Sequence, residues 1–134
     1  MKINELLLEG RVDKTTVIEM FKDFLPLAQE VLGIDSLPEM RFEPELNTGS
    51  QPSFGMYVNG DNILYVALKN RHPVDILRTV AHELVHYRQD IRGELNDDSG
   101  ETGSPQENQA HELAGVIMRH FNKRYPQYLK SKPL

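Results

Sequence analysis

Residues 73–91 read PVDILRTVAHELVHYRQDI. This stretch is the most informative part of the sequence, because it combines a long helical pattern with a pair of histidines. Pro73 suits the first position of a helix, where a backbone N–H has no partner inside the helix. At about 100° per residue, His82, Glu83 and His86 lie on one side of such a helix. The opposite side is apolar and consists of Leu77, Val80, Ala81, Leu84, Val85 and Ile91. We therefore predict a helix from Pro73 to about Ile91 whose ionisable side chains face away from the core.

The motif His82-Glu83-Leu84-Val85-His86 carries the chemistry. Its two imidazoles lie one helical turn apart, so both can reach a single zinc ion at about 2.0 to 2.1 Å. Glu83 directly follows the first histidine, and its carboxylate can approach a water on the metal without displacing either ligand. The motif therefore predicts His82 and His86 as zinc ligands and Glu83 as the base that activates the water. The alternative is a solvated helix surface that binds no metal.

At these residues the chain resembles the zincin metallopeptidases, hydrolases whose active-site helix carries His-Glu-x-x-His after a small sheet. The resemblance covers residues 53–122. It implies that the strand Phe54-Gly55-Met56-Tyr57 lies at the edge of the sheet, over the active-site cleft. A peptide substrate would pair with this edge as an additional strand, which makes Gly55 and Tyr57 candidate substrate-binding residues. An ordinary edge strand without a ligand is the alternative.

A catalytic zinc ion usually has three protein ligands, so a residue after His86 should complete the set. The metzincin subclass needs a histidine at position 92, where this chain has Arg92. Further along, Glu107-Asn108-Gln109-Ala110-His111 resembles the Glu-Asn-x-Ala-Asp signature of gluzincins such as the thermolysin and neprilysin groups. This resemblance implies that Glu107 is the third ligand. His111 is a departure, because it stands where the family has an aspartate that accepts a hydrogen bond from a zinc histidine. A neutral imidazole can accept this bond without bringing a negative charge, and the alternative is that His111 helps to hold the substrate or the transition-state oxyanion.

A second interpretation of Glu107 remains open. Ser104-Pro105-Gln106-Glu107 has the pattern of a capping box, in which the Glu107 carboxylate would bond the Ser104 N–H. In that case His111, about 40° from Glu107 around the helix, would be the third ligand instead, whereas Glu112 points about 140° away from Glu107. We favour Glu107 as the ligand.

Two further helices are predicted from spacing and capping residues. The first begins near Thr16, with Thr16-x-x-Glu19 as a capping box, and Pro26 should kink it or end it early. The last begins at Ser104-Pro105 and runs to about Asn122.

Strands are predicted at 40–43, 53–58 and 62–69, and Asn59-Gly60-Asp61 should join the last two as a hairpin. The elements together predict an α+β fold with an N-terminal helix, a small, mostly antiparallel sheet, the active-site helix and a C-terminal ligand helix. We expect a single domain over 1–134, with mobile ends at 1–13 and 123–134.

Composition excludes several function classes. The chain has no cysteine, so a metal site must use histidine and carboxylate ligands. Its formal charge of -5, with acidic residues spread along the chain, argues against nucleic acid as a partner. Neither a signal peptide nor a membrane-length apolar run is visible, so we expect a cytoplasmic protein that does not bind membranes.

These inferences predict a zinc-dependent endopeptidase, a metalloprotease whose partner is a peptide or protein substrate. Peptide-bond hydrolysis would use a zinc-bound water activated by Glu83. The alternative is a non-enzymatic structural or particle-assembly module in which zinc only ties two helices together.

Overall fold

The computed structural model of the chain describes residues 14–48 and 51–133. Its elements in chain order are helix α1 (Lys14–Leu32), strands β1 (Glu39–Glu43), β2 (Leu46–Thr48), β3 (Gln51–Ser53), β4 (Gly55–Val58) and β5 (Ile63–Ala67), helices α2 (Pro73–Ile91) and α3 (Pro105–Arg124), and a 3-10 helix (Pro126–Lys130). This order confirms the predicted α+β layout. None of the helices within the described ranges has the length and apolar character needed to cross a membrane.

Helix α1 is longer than its sequence pattern indicated. It starts at Lys14, so Thr16 lies inside the first turn rather than before the helix. The helix also continues through Pro26, so of the two predicted effects of this proline, a kink or an early end, the early end is wrong. Phe24 and Ala28 on either side of the proline are fully buried, and this packing holds the helix despite the missing N–H. It ends at Leu32, and the next residue, Gly33, has a φ of 66°, which suits a residue without a Cβ atom.

The three-stranded sheet has the order β1-β5-β4 and is mixed. Strands β4 and β5 form the predicted antiparallel hairpin, and β4 is an edge strand of this sheet. Strand β1 pairs with β5 in parallel, a pairing of residues far apart in the chain. Strands β2 and β3 form a separate antiparallel pair that we did not predict. Two of the three pairings are therefore antiparallel.

Helix α2 has the predicted bounds and lies with its apolar side in the core. The predicted core residues Leu77, Val80, Ala81, Leu84 and Val85 have no exposed surface. Ile91 is an exception, because 49% of it is exposed. It is the last residue of the helix and lies beyond the elements that cover the other five, so its assignment to the core is wrong.

Helix α3 runs back along α2 and brings its first turns to the ionisable side of that helix. Gln89, near the end of α2, bonds the backbone of Gln106, whereas His82, one to two turns earlier, contacts Glu107. After α3, the 3-10 helix returns to the core, where Tyr128 is buried and donates a hydrogen bond to Asp23 of α1 at 2.8 Å. This contact joins Tyr128, which lies in the segment 123–134 that we expected to be mobile, to the first helix.

Candidate metal centre and active site

The start of α2 is fixed by a histidine outside the motif. The Nδ1 atom of His72 accepts a hydrogen bond from the backbone N–H of Val74 at 3.0 Å, so His72 is the N-terminal cap of the helix. Pro73 follows as the first helical residue. This cap and the buried apolar side together set the rotation of α2, which turns the motif towards α3.

The carboxylate of Glu107 lies between the two motif histidines. Its Oε1 atom is 2.7 Å from Nε2 of His82, and its Oε2 atom is 3.1 Å from Nε2 of His86. Each side chain is mostly buried. The structure thus brings His82, His86 and Glu107 together, with one nitrogen of each ring directed at the same carboxylate.

The distances within this cluster can be compared with those around a zinc ion. Ligands held about 2.0 to 2.1 Å from a tetrahedral zinc ion are about 3.3 Å from one another. The two contacts of Glu107, at 2.7 and 3.1 Å, are somewhat shorter than this separation and involve its two different carboxylate oxygens. Two imidazoles with one carboxylate are a donor set typical of zinc. Among the described residues, the three side chains whose ligand atoms all lie within 4.8 Å of one another are, however, His82, Glu107 and His111, without His86.

His111 also reaches the cluster, from the solvent side. Its Nε2 atom is 3.6 Å from Oε1 of Glu107, and its ring centroid is 4.6 Å from that of His82. One potential ligand atom from each of His82, Glu107 and His111 lies within 4.8 Å of the other two. However, 71% of the His111 side chain is exposed, in contrast to the mostly buried side chains of His82, His86 and Glu107.

The cap of α3 explains why the Glu107 carboxylate is available. The Ser104 hydroxyl oxygen accepts a bond from the Glu107 N–H at 3.0 Å, which is one half of a capping box. The other half is absent, because the Ser104 N–H donates to the backbone oxygen of Glu101 at 3.1 Å. The side chain of Glu107 is therefore free to contact the histidines while its backbone is capped.

Glu83 lies beneath strand β4, where a glycine makes room for it. Only 8% of Glu83 is exposed. A Cβ atom on Gly55 would lie 2.5 Å from Cγ2 of Thr79 and 3.2 Å from Cγ of Glu83. Gly55 therefore allows the strand to approach α2 closely. We predicted Gly55 as a substrate-binding residue; what the structure shows is this packing role.

The environment of Glu83 favours a protonated carboxyl group. Burial, reinforced by the negative charge of Glu107, raises the pKa of Glu83 to about 8, and the backbone of Tyr57 opposes part of this shift. A cation beside Glu107 would cancel the contribution of that carboxylate. The group is thus one that can gain and lose a proton near neutral pH.

The pKa of His82 is lowered, which suits a metal ligand. Burial lowers the pKa of His82, the Glu107 carboxylate opposes this effect, and His86 and His111 add to it. The net shift favours the neutral imidazole, which is the form that binds metal ions.

Gln89 is a residue of the site that our sequence analysis missed. It is fully buried, and its amide oxygen is 2.8 Å from Nδ1 of His86. Its amide nitrogen donates to the backbone oxygen of Gln106 and to the side chain of Gln109. The available signal was a glutamine three residues after His86, within reach of that side chain on the same helix.

Strand β4 presents its open edge to the helix that carries the motif. The backbone oxygen of Phe54 accepts a bond from the Ala67 N–H at 2.9 Å, so the backbone groups of Gly55 and Tyr57 point to the opposite side. There, the Gly55 oxygen accepts from the Ser53 hydroxyl at 2.8 Å, and the Tyr57 N–H faces Glu83. The Gly55 N–H and the Tyr57 C=O are left pointing to the open edge.

Two cavities flank the cluster along this strand. One of about 290 Å³ lies on the His82 side, and the other of about 470 Å³ lies on the His86 side. Their lining includes Phe54, Gly55, Arg78 and Glu83 in the first and Tyr57, Asn59, Asn96 and Asp97 in the second. An extended chain that followed β4 would pass from one cavity to the other beside Glu83.

Three tyrosine hydroxyls are bonded to side chains outside the cluster. The hydroxyl of Tyr57 donates to Asp90 at 2.6 Å, and the hydroxyls of Tyr87 and Tyr128 bond Ser36 and Asp23. His120 of α3 is exposed.

Comparison with models of known protein families, with curated proteins and with solved structures gave no match. The interpretation of the site therefore depends on its geometry and on the sequence motifs.

Proposed function

We propose that the protein is a zinc-dependent endopeptidase that hydrolyses peptide bonds in an extended substrate. The observation that carries the proposal is the single carboxylate of Glu107 placed 2.7 and 3.1 Å from the Nε2 atoms of His82 and His86. Glu83, a buried carboxyl group with a raised pKa, borders the same cluster from the side of the cleft. A ligand set next to a candidate base is the arrangement that metal-assisted hydrolysis requires.

In this proposal His82, His86 and Glu107 hold the metal. A zinc ion bound there supplies Lewis-acid chemistry, which polarises a carbonyl group and makes water acidic enough to react near neutral pH. The alternative third ligand, His111, is supported by its position within 4.8 Å of His82 and Glu107. Its exposure favours a different role, in which it donates a hydrogen bond to the carbonyl oxygen of the substrate.

Glu83 acts on protons in this scheme. Its carboxylate oxygen accepts a proton from the attacking water and then passes it to the nitrogen of the leaving amine. Burial under β4 keeps bulk water away from the carboxyl group, and its raised pKa suits a group that must both accept and release a proton.

The substrate binds as an extra strand along β4. The Gly55 N–H and the Tyr57 C=O are the backbone groups available for pairing, and the two cavities receive side chains on either side of the scissile bond. The hydrogen bond from the Tyr57 hydroxyl to Asp90 holds the ring of this tyrosine in place.

A second candidate function is a structural module in which zinc only joins α2 to α3. The contact between His111 and Glu107 favours it, because His111 could supply a fourth protein ligand and close the site. A closed set of four ligands is typical of structural zinc, whereas a catalytic ion keeps one position open.

The experiment that separates the two functions is Glu83→Gln, with Glu112→Gln as the matched control on the exposed surface of α3. Zinc content, melting temperature and cleavage of a broad peptide library would be measured for both variants and for the wild type. We expect Glu83→Gln to keep zinc and to lose about 10²- to 10⁴-fold in kcat, the usual cost of removing a general base.

Glu112→Gln should behave like the wild type in all three measurements. A wild-type protein that binds zinc tightly and cleaves no peptide would contradict the enzyme proposal in favour of the structural module. Equal cleavage by Glu83→Gln and the wild type would contradict the role of Glu83.

A further inference from the structure

We propose that Gln89 is a positioning residue, which fixes the imidazole of His86 with Nδ1 protonated and Nε2 directed to the metal. The inference deepens the proposed function, and its zinc-dependent part rests on it. Gln89 lies one turn after His86 on α2 and has no exposed surface. It is not part of the His-Glu-x-x-His motif.

The orientation of the Gln89 amide is determined by the backbone oxygen of Gln106, which can only accept a hydrogen bond. Its Nε2 atom is 2.9 Å from the backbone oxygen of Gln106 and 2.8 Å from Oε1 of Gln109. A carbonyl oxygen cannot donate a hydrogen bond, so the atom that faces Gln106 must be the NH₂ group. Rotating the amide by 180° would place two buried acceptors against each other without a proton.

The orientation of the amide in turn determines the tautomer of His86. With the NH₂ group directed at α3, the amide oxygen faces Nδ1 of His86 at 2.8 Å. This oxygen accepts only, so Nδ1 must carry the proton. In the neutral ring, the lone pair then resides on Nε2, 3.1 Å from the Glu107 carboxylate, so a metal ion or a proton must stand between these two acceptors.

The same amide also positions the helix that carries Glu107. Gln106 directly precedes Glu107 in the first turn of α3, and Gln109 lies in the next turn. One buried side chain of α2 is therefore bonded both to a motif histidine and to the backbone beside the carboxylate that faces it. Loss of Gln89 would therefore remove a hydrogen-bond partner both from His86 and from the first turn of α3.

Packing alone does not account for a glutamine at this position. An apolar side chain of similar size would fill the space without the cost of burying an amide. All three hydrogen-bonding groups of the Gln89 side chain have partners, and one of those partners is a motif histidine. A buried polar partner on the second nitrogen of a ligand histidine orients the ring and raises its affinity for the metal.

The first test is spectroscopic and needs no metal. In ¹⁵N-histidine-labelled wild type, we expect a downfield Nδ1–H signal of His86 that exchanges slowly with water, assigned by its absence from a His86→Asn variant. Gln89→Met, which has a similar length, should lose this signal or its protection. Gln109→Met is the matched control and should retain it, because Gln106 still orients the amide.

The second test measures zinc affinity by competition with a chelator. We expect Gln89→Met to bind zinc about 10- to 100-fold more weakly than the wild type, and Gln109→Met to bind almost as tightly. The inference would be overturned by a wild-type His86 without a protected Nδ1–H, or by Gln89→Met with an unchanged signal and unchanged zinc affinity. Failure of the wild type to bind zinc would overturn the proposed function, whereas the metal-free signal would still decide the role of Gln89.

Discussion

Replacing Gly55 with alanine should destabilise the fold and displace Glu83. The added Cβ atom would lie 2.5 Å from Cγ2 of Thr79, whereas ordinary contacts between carbon atoms are about 3.5 to 4.0 Å. The two atoms would therefore need about 1 to 1.5 Å of additional separation. Thr79 cannot easily turn away, because its hydroxyl oxygen accepts a bond from Arg71 at 2.6 Å.

The expected cost follows from this overlap. Forcing an extra carbon into a packed contact typically costs about 1 to 3 kcal/mol. At about 3 to 5 °C per kcal/mol for a domain of this size, the melting temperature should fall by roughly 3 to 15 °C. If β4 moves by about 1 Å relative to Glu83, hydrolysis should decrease on the order of 10²-fold as well.

The assay is a double-mutant cycle in thermal or urea unfolding. Thr79→Ser removes Cγ2 but keeps the hydroxyl that bonds Arg71 and the backbone oxygen of Asp75. Combined with Gly55→Ala, it should restore most of the lost stability, because the remaining contact with Cγ of Glu83 is 3.2 Å. Gly100→Ala is the control, since a Cβ atom there meets nothing within 4 Å.

Two results would refute this reasoning. One is a Gly55→Ala variant as stable as the wild type. The other is a destabilised variant that Thr79→Ser does not rescue, which would mean that the contact at 2.5 Å is not the cause.

Three further predictions concern the cluster. The purified protein should contain about one zinc ion per chain, and metal analysis should find it missing from the His82→Ala, His86→Ala double variant; full occupancy there would contradict the site. Glu107→Gln should weaken zinc binding more than His111→Ala does, and a chelator titration that gave the reverse order would make His111 the third ligand. Ser104→Ala should cost about 1 kcal/mol of stability through loss of the helix cap while zinc affinity is kept, as calorimetry and the same titration can establish.

Helix α2 could be predicted closely because its signals are local. The proline at its start and an apolar side that repeats every three to four residues depend only on neighbours in the chain. Its bounds are as predicted, and His82 and His86 lie side by side on it with ring centroids 5.0 Å apart, whereas Glu83 is buried. The exposure of Ile91 could not be predicted, because periodicity along the helix does not reveal where the elements that cover it stop.

The availability of Glu107 could not be decided from the sequence. Two local patterns competed for one carboxylate, and the outcome depends on the backbone oxygen of Glu101, which bonds the Ser104 N–H. Gln89 was missed for a similar reason. Its three hydrogen bonds include two to another helix, and no periodic pattern distinguishes a buried glutamine from a solvated one.

Strand pairing was predictable only where a turn signal was present. Asn59-Gly60 indicated the β4–β5 hairpin, and Gly60 has a φ of 86° in that turn. The parallel pairing of β1 with β5 joins residues more than twenty positions apart, and no local signal specifies it. Strand β3 contains Pro52, a residue that argues against a strand.

The side chains of the cluster formed by His82, His86, Glu107 and His111 come from α2 and α3, which are consecutive in the chain, whereas the edge strand and the hairpin tip come from the part before them. In the proposed function, this contiguous helical hairpin would supply the reactive groups and the sheet would contact the substrate. Substitutions at the hairpin tip near Asn59 would then change selectivity without changing the ligand set. Gly55 is the point at which the two parts constrain each other, because a Cβ atom there would meet Thr79 and Glu83.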